Sequence, residues 1–112
     1  MVLETTTTDG ILVIRIPPRL DADAAQAAGA ELGVIVEKKP KNVVFDFSRT
    51  TYIASAGLRI ILSSTRTIMK ERGTVVLSSL SSPVRQVFEI AGFTKIFTIT
   101  GSLDEALSHL RE

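Results

Sequence analysis

The chain has 112 residues, of which 45% are hydrophobic and 22% are charged, and it contains no cysteine. This length suits one domain, and the composition is typical of globular proteins rather than of disordered or fibrous ones. The lack of cysteine excludes disulfides, thiolate metal ligands and cysteine nucleophiles. We therefore expect a single domain over residues 1–112.

The charge balance and hydropathy exclude further classes. Thirteen Lys and Arg against twelve Asp and Glu give a net charge of +1, whereas binding to nucleic acid phosphates favours a strongly basic surface. Residues 1–8 lack the basic and apolar regions of a signal peptide, and no apolar run approaches the roughly 20 residues of a membrane-spanning helix. We expect a cytoplasmic protein with no direct nucleic acid partner and no membrane insertion.

The first predicted elements form a hairpin. The Asp-Gly pair at residues 9–10 is typical of a tight turn, and it joins a Thr-rich strand over residues 2–8 to an apolar strand over residues 11–16. Two prolines, residues 17–18, lack the N–H groups that a central strand needs. The chain is therefore expected to leave the sheet there.

A helix and a buried strand come next. Apolar residues recur at helical spacing over residues 22–38, Asp21 is the candidate N-cap, and Pro40 follows the end. The β-branched and aromatic run over residues 43–47 predicts a strand buried on both faces.

The strongest helical pattern covers residues 55–72, with Gly73 placed to end the helix. Its predicted apolar face consists of Leu58, Ile61, Leu62, Thr65, Ile68 and Met69. A buried strand over residues 74–77 should follow it.

The last third of the chain predicts two short helices around one strand. Ser82 is the candidate N-cap of a helix that ends before Gly92. Residues 96–99 predict the last strand, and residues 102–105 (Ser-Leu-Asp-Glu) form a capping box for the terminal helix.

Strands that alternate with helices after a hairpin imply parallel pairing through right-handed crossovers. The sequence therefore predicts an α/β fold with a mixed, mostly parallel β-sheet, an N-terminal hairpin and about four α-helices.

Few residues point to catalysis. The sequence contains no phosphate-cradling glycine motif, and the lone His109, next to Leu110 in the terminal helix, is best explained as a surface residue. Asp21 and Asp23 are close in sequence, but capping and the helix dipole explain both carboxylates better than a metal does. We expect a non-enzymatic chain that needs no cofactor or metal.

Ser55 is the most informative residue, because it lies where the loop after the third predicted strand becomes the strongest helix. The unpaired N–H groups and positive dipole end of a helix stabilise anions, so a phosphate on Ser55 would be tolerated. The alternative is that Ser55 simply caps the helix.

A polar and basic stripe begins at Ser55. At 100° per residue, Arg59, Ser63, Arg66 and Lys70 fall within an arc of about 60°. This stripe is either an ordinary solvated helix face or a surface for an acidic partner.

The order and spacing of these motifs resemble a STAS domain of the anti-sigma-factor antagonist type. The resemblance covers nearly the whole chain and rests on residues 9–16, 19–21, 43–48, 52–59 and 82–97. Residues 52–59 read Tyr-Ile-Ala-Ser-Ala-Gly-Leu-Arg and are similar to the Asp-Ser-small-Gly-Leu signature of these antagonists.

The resemblance implies a regulatory binding module. In such antagonists the signature serine, here Ser55, is phosphorylated by an anti-sigma factor that is also a serine kinase, and a phosphatase resets the switch. ATP and Mg²⁺ would belong to that partner. The residues expected to bind the partner are Asp21, Asp23, Ala54, Ala56, Gly57, Arg59, Ser63, Arg66 and Lys70.

Two departures from the family pattern leave alternatives open. Ala54 stands where the antagonists usually carry an acidic residue, and residues 17–19 (Pro-Pro-Arg) replace a more usual Gly-containing turn. The chain could instead be a non-switching STAS subunit of a larger signalling scaffold or lipid-transport complex. A small-molecule-binding α/β domain or enzyme is a third class. The sequence shows no convergent polar cluster that would form the site of such a protein.

Overall fold

The computed structural model describes residues 1–111. In chain order the elements are β1 (Glu4–Thr8), β2 (Ile11–Arg15), β3 (Arg19–Leu20), α1 (Ala22–Glu37), β4 (Asn42–Asp46), β5 (Tyr52–Ile53), α2 (Ser55–Lys70), β6 (Thr74–Ser78), α3 (Ser82–Ile90), β7 (Thr98–Thr100) and α4 (Leu103–Arg111). Across these residues, no helix combines the length and the apolar content that crossing a membrane requires.

The main sheet confirms the predicted fold class. Its five strands lie in the order β1-β2-β4-β6-β7, and only the β1–β2 pair is antiparallel. Asp9 and Gly10 both have positive φ values, 52° and 77°, as a type I′ hairpin turn requires. The four helices connect or follow the parallel strands as expected.

The sheet is covered on both faces, because alternate residues of each strand point to opposite sides. On one face Ile14, Phe45 and Leu77 join the main core with α1, α2 and α3. On the other face, Val44 and Val76 pack in a smaller cluster with α4. The prediction that the strand around Phe45 is buried on both sides is therefore confirmed.

A second, two-stranded sheet was not predicted. The chain leaves the main sheet at the two prolines, as expected, but residues Arg19–Leu20 then pair in parallel with Tyr52–Ile53. Strands of two residues are too short to give an alternating pattern, so the sequence carries no periodic signal for them.

Gly73 was predicted to end α2, and it follows the helix end directly, but the residue that turns the backbone is Arg72. Arg72 adopts the left-handed conformation, with φ of 66°, and the N–H of Gly73 donates to the carbonyl of Ile68 at 2.8 Å. These are features of a Schellman motif with an arginine at its left-handed position. Gly73 is needed for space, since a Cβ there would lie 2.8 Å from the carbonyl oxygen of Pro40.

Three smaller expectations were wrong. Ser81, not Ser82, is the N-cap residue of α3, and its hydroxyl donates to the carbonyl of Thr50 at 3.2 Å instead of capping the helix. The last strand begins at Thr98, because Phe97 before it turns into the core against Phe88. Met69 is 56% exposed, since it lies about 80° from the centre of the buried face of α2.

The predicted cap of α1 is confirmed, and one half of the capping box predicted for α4 is confirmed, while the Glu105 carboxylate accepts from the Ser102 hydroxyl at 3.3 Å rather than from the N–H of Ser102. The Asp21 carboxylate accepts from the N–H of Ala24 at 2.9 Å, and the Ser102 hydroxyl accepts from the N–H of Glu105 at 3.1 Å. Both bonds satisfy a backbone donor that the helix itself leaves unpaired.

Candidate functional site

The small β3–β5 sheet brings the starts of α1 and α2 together. Leu20 pairs with Ile53, and the N–H of Ala54 donates to the carbonyl of Leu20 at 3.0 Å. The residue after each strand, Asp21 or Ala54, is the N-cap of the helix that follows. Two helices therefore begin side by side, and the two predicted site segments around Asp21 and Ser55 lie on one edge of the molecule.

The structure shows that Ser55 is not the cap of α2. Ala54 occupies the N-cap position in an extended conformation, and the first helical hydrogen bond runs from the N–H of Leu58 to the carbonyl of Ala54 at 3.1 Å. An alanine has no side-chain acceptor, so α2 begins without the kind of cap that Asp21 gives α1. Ser55 is the first helical residue.

The environment of Ser55 suits an anion. Its side chain is exposed, and the first turn of α2 contains no acidic residue. The N–H groups of Ser55, Ala56 and Gly57 precede the first helical hydrogen bond and lie at the positive end of the dipole. A negative charge on the Ser55 hydroxyl would therefore be stabilised locally rather than disturb the helix.

Gly57 fixes how closely α2 approaches the small sheet. It is buried, and a Cβ at this position would lie 2.8 Å from Cγ of Leu20 and 2.9 Å from Cγ1 of Ile53. Cγ of Leu20 is the branch point of its side chain, and Cγ1 of Ile53 is bonded directly to Cβ, so both atoms lie near the backbone and neither can swing aside easily. Because any larger residue would push α2 outward, Gly57 determines where Ser55 stands relative to Asp21.

Threonine side chains anchor the loop before β5, and sequence reasoning missed them. The hydroxyl of Thr50, which is only 1% exposed, donates to the carbonyl of Pro17 at 3.0 Å. The N–H of Thr51 donates to the carbonyl of Pro18 at 2.8 Å. The two prolines thus serve as acceptors that hold the site loop, a role that the pattern of the sequence does not reveal.

A second missed feature is the pair formed by Arg19 and Tyr52. The guanidinium carbon of Arg19 lies 4.5 Å from the centre of the Tyr52 ring, a cation–π geometry, and both side chains are exposed. The β3–β5 pairing sets these residues opposite each other beside the start of α2. Only that pairing could have revealed the contact.

The predicted basic stripe lies on the surface as expected. Arg59, Ser63, Arg66 and Lys70 are all exposed, and within residues 1–111 none of the three cations forms a salt bridge. Of the other predicted partner-binding residues, Asp23 is exposed, Asp21, Ala54 and Ala56 are half-buried, and Gly57 is buried. The stripe runs along α2 from Ser55 toward the far end of the molecule.

Comparison with known proteins gives consistent matches over nearly the whole chain. A family model described as STAS domain matches residues 2–106. "Putative anti-sigma factor antagonist BtrV" of Bordetella bronchiseptica is 37% identical over 106 residues, which cover 95% of this chain and 91% of the relative.

Solved structures share the fold. An anti-sigma factor antagonist from Mycobacterium paratuberculosis has a TM-score of 0.90 at 25% identity, covering 98% of this chain and 93% of its own. The Bacillus cell fate determinant SpoIIAA in its phosphorylated form has a TM-score of 0.74 at 21% identity, covering 96% and 98%. The sequence expectations of a STAS-like fold and of resemblance to anti-sigma factor antagonists are confirmed.

Replacing Gly57 with alanine tests the close approach at the site. We expect Gly57→Ala to lower the free energy of unfolding by about 1–3 kcal/mol, as overpacking in a buried contact does. Gly33→Ala is the matched control, because it also adds a methyl group in a helix but meets nothing within 4 Å. It should stabilise the protein by about 0.5–1 kcal/mol. Urea unfolding measures both, and equal effects would contradict the packing argument.

Replacing Ala54 tests the missing cap. An aspartate there can accept from the N–H of Ala56 or Gly57, so Ala54→Asp should raise the free energy of unfolding by about 0.5–2 kcal/mol. Ala54→Asn supplies the same cap without charge and separates capping from the dipole interaction. Thermal and urea unfolding at low salt give the comparison. If neither variant is more stable than the wild type, the missing side-chain cap does not lower the stability of the protein.

Proposed function

Because the chain belongs to the STAS domain family, we propose that it is an anti-sigma-factor antagonist that acts by partner switching in the cytoplasm. The unmodified protein binds an anti-sigma factor that is also a serine kinase, and this binding releases the sigma factor. The kinase then phosphorylates Ser55 with its own ATP and Mg²⁺, and the complex dissociates. A phosphatase restores the unmodified state, and this chain itself catalyses nothing.

One observation carries the proposal: Ser55 is an exposed hydroxyl at the first position of a helix whose N-terminus has no side-chain cap. A kinase can reach this hydroxyl without unfolding the chain. The relative SpoIIAA, which shares the fold, has been solved in a phosphorylated form. The 37% identity to BtrV supports the same class of function.

The charge on a phosphate explains how binding is lost. Phosphorylation adds roughly −1.5 to −2 charges at neutral pH, and the open N-terminus of α2 stabilises them within this chain. Against an acidic partner surface the same charges repel and are expensive to bury. We infer that the modification changes the surface and leaves the fold intact.

A phosphate on Ser55 would also change the partner surface through its attraction for Arg59. Arg59 lies four residues after Ser55 on the same helix, a spacing at which an anion and a cation attract when the anion comes first. In the unmodified protein Arg59 is exposed and outside any salt bridge of residues 1–111. A phosphate on Ser55 would draw this guanidinium away from the partner.

The other predicted partner-binding residues divide by their accessibility. Asp23, Ser63, Arg66 and Lys70 are exposed, so we propose that they touch the partner directly, with the cations meeting acidic groups. Asp21 and Gly57 act by position, since the Asp21 carboxylate caps α1 and Gly57 is buried. Half-buried Ala54 and Ala56 border Ser55 and shape the surface that the kinase reads.

Ala54 favours a second candidate function. The residue before the serine lacks the carboxylate usual in the antagonists, so a kinase that reads this carboxylate would phosphorylate Ser55 poorly. The chain would then be a non-switching subunit of a signalling scaffold or a lipid-transport complex. Changes at Ser55 would leave the affinity of such an assembly unaltered.

Charge substitution at Ser55 separates the two functions. Ser55→Asp should weaken binding to the cognate anti-sigma factor by about a hundredfold or more, because it adds charge within the interface. Ser55→Ala should bind as the wild type does and gain no phosphate from the kinase and ATP. Calorimetry and intact-mass analysis measure these effects.

The control is Ser108→Asp, which adds the same charge on the exposed side of α4, on the opposite face of the sheet. It should leave affinity unchanged. Equal affinity of the wild type and Ser55→Asp would disprove the switch and support the scaffold.

A further inference from the structure

Strand β1 forms an open edge of the main sheet. It lies at the end of the strand order, pairs only with β2, and all five of its residues are exposed. Its sequence, Glu-Thr-Thr-Thr-Thr, contains no proline or lysine, residues with which proteins commonly block strand edges. The opposite edge, β7, has only three residues. The longer edge β1 is therefore the better suited of the two to accept a further strand.

The hydrogen-bond pattern shows which backbone groups of β1 point outward. The N–H of Ile16, directly after β2, donates to the carbonyl of Asp46 on β4 at 3.0 Å. Because successive strand residues bond to alternate sides, the even-numbered residues of β2 face β4 and the odd-numbered ones face β1. The β1 partners of these odd-numbered residues are Glu4, Thr6 and Thr8. The N–H and C=O groups of Thr5 and Thr7 therefore point away from β2, where the sheet has no further strand.

A second copy of β1 fits this edge in one antiparallel register. Thr5 of each copy pairs with Thr7 of the other, so that backbone hydrogen bonds form on both sides of a two-fold axis at Thr6. A shift of the register toward the turn would use Asp9, whose φ of 52° is not that of a strand. A shift toward the chain start would use Leu3, whose N–H already donates to a glutamate of α1 at 3.0 Å. The register centred on Thr6 avoids both obstacles.

The side chains of β1 are compatible with this pairing. Thr6 of each copy would face Thr6 of the other, and opposed threonines stabilise neighbouring strands. Glu4, the one charged residue of β1, would lie opposite Thr8 and not opposite the second Glu4. The two Glu4 residues would be about 13 Å apart, four residues at about 3.3 Å each, which exceeds the screening length at physiological salt. The pairing therefore brings no like charges of β1 together.

An apolar groove borders the same edge on the α1 side of the sheet. Its volume is about 460 Å³, and its lining includes Thr5 of β1 with Ala30, Val34 and Ile35 of α1. Val34 is 57% exposed. A two-fold axis perpendicular to the sheet at Thr6 places both α1 helices on the same face, so each copy would cover part of the other's groove. The pairing thus covers apolar surface as well as backbone groups.

We infer that two copies of this chain pair through β1 and join their five-stranded sheets into one continuous sheet. Because the pairing uses the β1 edge of both copies, it closes at two and does not propagate into a filament. The helix α1 lies between β1 and α2, so Ser55 stays exposed in each copy. The inference does not depend on the proposed function.

Sedimentation equilibrium of the full chain tests the pairing. Between about 5 µM and about 1 mM the protein should change from monomer to dimer, with a dissociation constant of about 10–100 µM, since the contact is smaller than a standard interface. A chain that stays monomeric at the highest concentration would overturn the inference. Growth beyond the dimer would overturn the closed two-fold pairing.

Two lysine substitutions on the same face of β1 test the register. Thr6→Lys places two like charges opposite each other at the axis and should weaken the dimer by about fivefold or more. Thr8→Lys is the matched control, because it adds the same charge opposite Glu4 of the second copy and should leave the affinity unchanged or raise it. Equal weakening by the two substitutions would show that the register is wrong.

A mixture of Thr6→Lys and Thr6→Glu controls for damage to the fold. Each variant alone opposes like charges at the axis, whereas the mixed pair opposes a cation to an anion. The equimolar mixture should therefore dimerise more tightly than either variant alone. If the mixture is no tighter than the separate variants, Thr6 does not lie at the axis and the assigned pairing is wrong.

Amide hydrogen exchange of the wild type locates the interface. The N–H groups of Thr5 and Thr7 should exchange more slowly at about 1 mM than at about 20 µM, because they are bonded only in the dimer. Those of Thr6 and Thr8 already bond to β2 in the monomer and should change less. A dimer in which the exchange of Thr5 and Thr7 does not depend on concentration would place the contact elsewhere and overturn the inference.

Discussion

The contact of Gly57 with Leu20 and Ile53 is the constraint on which the site depends. No side chain fits between α2 and the small β3–β5 sheet, so the helix starts directly on top of two buried apolar residues. The same sheet joins the start of α1 to the start of α2 through its backbone pairing. The threonines of the preceding loop bind the carbonyls of the two prolines and hold this arrangement from the other side. Close packing and backbone pairing therefore set the place at which Ser55 is exposed.

A phosphate on Ser55 would be compatible with the fold of this chain but would oppose the binding of an acidic partner. A phosphate at the open start of α2 meets N–H groups and a favourable dipole, so the chain accepts it without rearrangement. A partner that comes with acidic groups toward Arg59, Arg66 and Lys70 meets instead a new negative charge at the head of that stripe. Ala54 affects how well the start of α2 binds an anion. An aspartate at this position would cap the helix and occupy the N–H groups that the phosphate otherwise uses. The lack of a capping side chain thus makes the helix start more receptive to an anion.

Local chemistry made much of the fold predictable. The Asp-Gly turn needs two positive φ values and has them, the Asp21 cap forms, and the continuous apolar strand is buried on both faces. Features that depend on distant partners were not predictable. The β3–β5 pairing joins two-residue segments 33 residues apart, Ser81 turns to Thr50 rather than to its own helix, and Met69 lies beyond the edge of the core. For the candidate site, the sequence predicted Ser55 and the basic stripe, and both are exposed in the structure. The position of Ser55 after the cap and the Arg19–Tyr52 contact depend on the pairing of the small sheet and were not predictable.

The most direct test of this account is fragment-mass mapping of the protein purified from its own cells, with the free fraction and the fraction bound to the anti-sigma factor separated first. A phosphoryl group adds the mass of one PO₃H unit to the peptide that contains Ser55. The account predicts this addition on Ser55 in the free fraction and its absence from the bound fraction. Equal phosphorylation of the two fractions, or a phosphate on another residue with Ser55 unmodified, would contradict it.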